Sequence, residues 1–111
     1  MKPEAQVSKD VQALLKQLGF AVWSTEQGYR SQKGGTRQTP GIPDLIAINT
    51  DLILFIELKA GKNKASPAQL LFGSFVMLAG GHYRVIRSSV ECFDWLVELG
   101  VIEVAGDGAV T

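Results

Sequence analysis

Two acids and a lysine, Asp44, Glu57 and Lys59, stand in the most apolar stretch of this chain, "GIPDLIAINTDLILFIELKAG" at residues 41–61. A charge in such surroundings is costly unless it is paired or binds a metal. Leu45–Asn49 and Leu52–Ala60 read as two strands joined by a tight turn. A two-residue turn at Thr50-Asp51 pairs Asn49 with Leu52 and keeps the sum of paired residue numbers constant along the hairpin. Leu45 then faces Ile56, and Asp44 falls opposite Glu57 with Cβ atoms about 4.5–5.5 Å apart. A four-residue loop keeps this register, whereas a three-residue loop breaks it. Lys59, two residues past Glu57, points to the same face. Carboxylates placed opposite each other repel, so something must compensate. Lys59 supplies one positive charge. A divalent cation supplies more, and two carboxylates with a backbone carbonyl and water suit Mg2+. The structural alternative is that Asp44 ends a proline turn while Glu57 and Lys59 form an ion pair.

The elements that must hold these residues are legible on both sides. Residues 3–18 have the helical apolar stripe Val7, Val11, Leu14, Leu15 and Leu18, with Pro3 at a first helical position and Gly19 at the C-terminal cap. Glu4 lies on that stripe; without further context it is an ordinary first-turn acid facing the helix dipole. "FAVWST" at 20–25 is β-rich and reads as a strand. Residues 26–43 have no apolar period and carry Arg30, Lys33, Arg37 and Tyr29, which predicts a long, functional or disordered loop. After the hairpin comes the basic turn "GKNK". Ser66-Pro67-Ala68-Gln69 is a capping box with proline at the first helical position, opening a helix to about Ala79 and Gly80-Gly81. "HYRVIRS" predicts another strand. Ser88-x-x-Glu91 is a second capping box, opening a helix to about Leu99. A tail follows in which Val101–Val104 could form a short strand. The order α-β-loop-β-β-α-β-α describes one mixed α/β domain over residues 1–111.

Composition narrows the function classes. The chain of 111 residues is 46% apolar, enough for one domain with a real core. Its single cysteine, Cys92, excludes an internal disulfide and points to a reducing compartment. No apolar run is long enough to span a membrane, and no signal-peptide pattern opens the chain. The expected setting is cytoplasmic. Net charge is zero, yet five acids and no Lys or Arg follow residue 87, so eleven basic and six acidic residues precede them. Such asymmetry can place a basic face on a neutral protein, although solvated surface explains it as well.

The motifs together resemble a known family. "PD" at 43–44 and "ELK" at 57–59 match the PD-(D/E)xK nuclease signature. Glu4 on a first helix, "GIPDLIAI", "FIELKAGKNKASPAQ" and "GHYRVIRS" extend the match to the VRR-NUC branch, over about residues 4–98, in its compact stand-alone bacterial and phage type. "YRVIRS" matches the name-giving motif approximately. The resemblance implies a restriction-endonuclease-like fold, a mixed central sheet flanked by helices. It also implies a Mg2+- or Mn2+-dependent hydrolase of phosphodiester bonds in DNA. Asp44, Glu57 and the carbonyl of Leu58 would hold the cation. Lys59 would orient or activate the attacking water, Glu4 would act on metal-bound water or a second cation, and Gln69 would stand near the site. At neutral pH the two carboxylates are expected to be ionised, which leaves Lys59 as the partner of the water. Arg30, Lys33, Arg37, Lys62 and Lys64 are candidate phosphate contacts, with a solvated loop as the plain alternative.

Compact relatives of this kind imply a homodimeric Holliday-junction resolvase acting on branched DNA. The last helix, with Phe93, Leu96, Val97 and Gly100 on one face and Cys92, Trp95 and Leu99 on others, is the expected interface, unless Val101–Val104 cover it within one chain. Competing readings are a nuclease preferring flaps or ends, a catalytically silent nucleic-acid-binding module, and a protein-interaction domain. The intact set Glu4, Asp44, Glu57 and Lys59 speaks against the last two.

Overall fold

The computed structural model describes residues 2–25 and 39–104. Three helices and four strands occur among them: α1 (Glu4–Gln17), β1 (Ala21–Ser24), β2 (Leu45–Ile48), β3 (Ile53–Leu58), α2 (Pro67–Leu78), β4 (His82–Ile86) and α3 (Ser89–Glu98). The strands form one mixed sheet in the order β1-β2-β3-β4. The first three are antiparallel neighbours, and β4 runs parallel to β3, so α2 is the crossover between them.

The hairpin register is the expected one. Leu45 faces Ile56 and Ile48 faces Ile53. Asn49 sets the turn with its own side chain: Oδ1 accepts from the N–H groups of Asp51 at 2.8 Å and Leu52 at 2.7 Å.

Strand alternation then divides the sheet. Leu45, Ala47, Leu54, Ile56 and Leu58 form one core with Val7, Val11 and Leu15 of α1 and with Cys92, Trp95 and Leu96 of α3. The opposite face carries Phe55, Glu57 and Tyr83, and α2 packs there. Phe72 meets Phe55 edge-on at a centroid distance of 5.6 Å and lies 6.3 Å from the Tyr83 ring. Gly73 lets α2 approach so closely, since a Cβ there would lie 2.4 Å from the Tyr83 ring.

Several details differ from the sequence reading. Pro3 is the N-cap of α1, one position before the helix. Ser66 and Gln69 form the full reciprocal capping box, whereas only half of one forms at Ser88. There the Glu91 carboxylate reaches past the cap and accepts from the Arg87 N–H at 2.8 Å. Val101–Val104 is not a strand. The Val101 N–H donates to the Leu96 carbonyl, closing the end of α3, and Val101 and Ile102 pack against the core. On the face of α3 expected to be left over, Leu96 is buried, whereas Phe93 remains 40% exposed.

Candidate active site

Asp44 is held from two strands. Its backbone carbonyl accepts from the Thr25 N–H at 2.8 Å, just beyond β1. The Thr25 hydroxyl also donates to the Pro43 carbonyl. The side chain turns the other way, and Oδ2 accepts from the Leu58 N–H of β3 at 2.9 Å. A proline turn and a strand start are thereby fixed, and Asp44 is 8% exposed.

Upstream of the acid, Gly41 has φ +89°, a left-handed conformation that favours glycine. A Cβ there would meet the Ala68 carbonyl oxygen at 2.7 Å. The turn leading to Asp44 is thus seated on the first turn of α2.

Glu57 is almost completely enclosed, at 1% exposure. Its Oε2 accepts from Gln69 Nε2 at 2.6 Å and lies 3.6 Å from Lys59 Nζ. Gln69 does two things at once. Its Oε1 accepts from the Ser66 N–H at 2.7 Å, completing the capping box. Since an N–H can only donate, that contact orients the amide and leaves Nε2 to donate to Glu57. The cap and the site contact, alternatives at the level of sequence, are both made by the same side chain.

The second carboxylate oxygen, Glu57 Oε1, is buried and has no hydrogen-bond partner. Burial and then the neighbouring Asp44 carboxylate push the Glu57 carboxyl up to about 8, against the smaller opposing pull of Lys59. Without a cation, the pair is therefore biased toward keeping one proton. The cause is depth, since the pair can shed its mutual repulsion by keeping one proton.

Glu4, half-buried in the first turn of α1, joins the same field. Its carboxyl is raised, first by burial and then by Asp44, while Lys59 lowers it. Among the described residues no three His, Cys, Asp or Glu side chains are gathered into a cation cage. The arrangement is instead open: two opposed carboxylates, one with an unpartnered buried oxygen, beside a lysine. Hard oxygen donors of this number fit Mg2+ or Mn2+, which keep several waters rather than a complete protein cage. Oε1 has no donor when both acids are ionised, and a cation would take the place of the proton that the Asp44–Glu57 pair otherwise shares.

Lys62 and Lys64 are exposed on the turn after β3. Arg87 ties that turn to the end of β4, donating from Nη1 to the Asn63 carbonyl at 2.7 Å. Tyr29, Arg30, Lys33 and Arg37 lie outside the described residues. A groove of about 550 Å3 between α1 and α3 is lined by Lys2, Asp10, Leu14, Val90 and Phe93 and shares no residue with the acids.

Sequence reasoning missed Tyr83, whose buried hydroxyl has no partner and whose pKa is pushed up to about 12 by burial and then by Glu57 and Asp44. It also missed Gly41, Gly73 and Thr25. The glycines carried a signal in their positions after a proline and within a helix, but not which atoms they approach.

No family model matches the chain, and no curated protein matches it. Solved structures do. A structure described as a VRR_NUC domain is 27% identical, with 86% of this chain and 94% of that chain covered at a TM-score of 0.65. A second, described as a VRR_NUC domain protein, is 21% identical over 88% and 89% of the two chains, with a TM-score of 0.62. The Holliday junction resolvase Hjc of Archaeoglobus fulgidus is 23% identical over 76% of this chain and 67% of that one, with a TM-score of 0.54. At such identities the last two speak for the fold alone. These likenesses agree with the resemblance to VRR-NUC nucleases carried by the motifs, and the mixed sheet flanked by helices is the restriction-endonuclease-like fold that it implied.

Proposed function

We propose that this chain is a Mg2+- or Mn2+-dependent, structure-selective DNA endonuclease that acts as a homodimer on four-way junctions. The observation that supports it best is the paired acids: Asp44 and Glu57 are buried side by side, and one Glu57 oxygen has no partner. A merely structural ion pair needs neither the second acid nor an orphaned oxygen. The 27% identity to a VRR_NUC domain structure supports the family, and the compact stand-alone type that the motifs resemble makes junction DNA the substrate to try first.

Asp44, Glu57 and the Leu58 carbonyl would hold the cation, with Glu4 nearby. When bound, a divalent cation lowers the pKa of its water and polarises a phosphoryl oxygen. The protein's own groups do the rest. Asp44, pinned by Leu58 and Thr25, keeps its place when Glu57 gives up its proton. Gln69 fixes the Glu57 carboxylate so that Oε1 stays aimed away from the cap. Lys59, 3.6 Å from Glu57, offers its ammonium to the attacking water and to charge developing on the phosphate. Gln69, though outside the set of charged groups, acts as a positioning residue by this geometry. Lys62 and Lys64 are exposed beside the site for phosphate contact, with Arg30, Lys33 and Arg37 as further candidates.

The setting that fits is a reducing cytoplasm. Cys92 is a buried free thiol, and among the described residues no helix is long and apolar enough to cross a membrane.

The test is to incubate the protein with labelled four-way junctions, flaps and linear duplex in Mg2+, Mn2+ or EDTA. Symmetric paired cuts in junctions, absent in EDTA, are the expected result. Equal cutting of all substrates removes the junction preference, and binding without cutting in either metal removes the enzyme.

A further inference from the structure

Two arginines stand on β4 and at its end, on opposite faces of the sheet. Arg84 turns toward α3, with its guanidinium 5.4 Å from the centre of the Trp95 ring and 3.2 Å from the Glu98 carboxylate. Arg87 follows the last residue of the strand. Glu57 pairs with Val85 and Leu58 with Ile86, and the Lys59 N–H donates to the Ile86 carbonyl at 3.1 Å. One further step of that register sets Arg87 beside Lys59, on the face that carries Glu57. The reach of the side chain agrees, since Nη1 donates to the Asn63 carbonyl at 2.7 Å in the turn that leads to α2. That turn is itself closed, with the Asn63 N–H donating to the Ala60 carbonyl at 3.1 Å.

Arg84 has an acid and Arg87 has none. Among the described residues no carboxylate lies within ion-pair distance of Arg87, Lys62 or Lys64. Glu91, the acid nearest to Arg87 along the chain, spends Oε1 on the Arg87 backbone N–H rather than on the guanidinium. A guanidinium carries five donors in a planar fork, and the Asn63 carbonyl takes only one of them. A half-buried cation without a counter-ion is more than a staple for a turn requires, because one neutral donor would serve.

We infer that Arg87 is a phosphate contact and that, with Lys62 and Lys64, it forms a preset clamp for the backbone of bound DNA. The carbonyl of Asn63 fixes the plane of the fork, and a fork so held matches two oxygens of one phosphate. Lys59 occupies the neighbouring position in the sheet, so the clamp adjoins the acids and holds the strand that reaches them. The assignment rests on the proposed function only in taking DNA as the ligand.

Binding of a labelled four-way junction and a linear duplex in EDTA, across a range of salt, tests it with Arg87→Gln, Arg87→Lys and Arg84→Gln. Gln keeps a donor for the Asn63 carbonyl and removes the charge, so chemical denaturation should show wild-type stability. Its salt slope should fall by about one unit, and both DNAs should be weakened by the same factor. Arg87→Lys and Arg84→Gln should keep the wild-type slope. An unchanged slope in Arg87→Gln, an equal loss in Arg84→Gln, a lost slope in folded Arg87→Lys or a wild type that binds no DNA would each overturn the clamp. Cleavage in Mg2+ or Mn2+ on the same samples separates the two claims. A wild type that binds with the expected slopes and cuts nothing keeps the clamp and removes the nuclease, whereas cutting with an unchanged Arg87→Gln slope does the reverse.

Discussion

Glu57 sits where two demands conflict. A carboxylate this deep, beside Asp44, keeps its proton to about 8, whereas a cation requires it ionised. Metal affinity should therefore rise as pH climbs toward 8. Stability of the metal-free protein should move the opposite way. The native value lies above the ordinary 4.5, so between those limits the folded form holds a proton that the unfolded chain has released. The stabilisation is fully present below about 4.5 and is lost as pH rises through about 8. Glu57→Gln keeps an acceptor for Gln69 and removes the titration. In EDTA its melting temperature should match the wild type near pH 5 and exceed it at pH 8.5, at about 4–8 °C for each kcal/mol. Added Mg2+ should raise only the wild type. Parallel melting curves for both proteins across this range would show that Glu57 does not carry the proton. Which residues form the site was legible because side-chain alternation and one turn sufficed to bring 44 opposite 57. The proton was not, since burial depth depends on the layer packed above.

At the scale of elements, α2 is held down at its middle by Phe72 against Phe55 and by Gly73 against Tyr83. Gly73 lies against the Tyr83 ring, with space for a hydrogen and none for a methyl. Overpacking of this kind costs about 1–3 kcal/mol, and the gain in helix propensity from Gly to Ala returns up to about 1. Gly73→Ala should therefore lower stability by about 1–2 kcal/mol in chemical denaturation. A variant as stable as the wild type would mean that α2 lifts from the sheet at little cost. The caps and the Asn49 turn were readable from sequence because each is a local bargain between neighbouring residues. Glu91 went astray for the same reason, having a second donor, Arg87, within one residue of the cap. The tail was misread as a strand because Val101 and Ile102 are β-branched. They are apolar to close α3 over the core, a role that local propensity does not distinguish.

For the whole molecule, the largest surprise lies in what is exposed. An uncharged twelve-residue helix looks like core in any sequence window, and only its place at the edge of a four-stranded sheet leaves it uncovered. On the proposed function, DNA would meet Lys62 and Lys64, which are exposed on the turn after β3. Replacing Arg30, Lys33 and Arg37 together by Ala should weaken DNA binding and reduce the salt slope by up to about one unit for each phosphate no longer neutralised. An unchanged slope would place the DNA on another face.

The central claim is that Asp44 and Glu57 hold a cation that makes this chain a nuclease. Cleavage of a labelled four-way junction by the wild type and by Asp44→Asn, in Mg2+, Mn2+ and EDTA, addresses it most directly. Asp44→Asn leaves an oxygen to accept the Leu58 N–H while removing the charge, so the fold should survive. Cutting by the wild type in either metal, with none in EDTA and none by the variant at matched folding, is the expected result. A wild type that cuts equally in EDTA, or a variant that cuts at the wild-type rate, would contradict it.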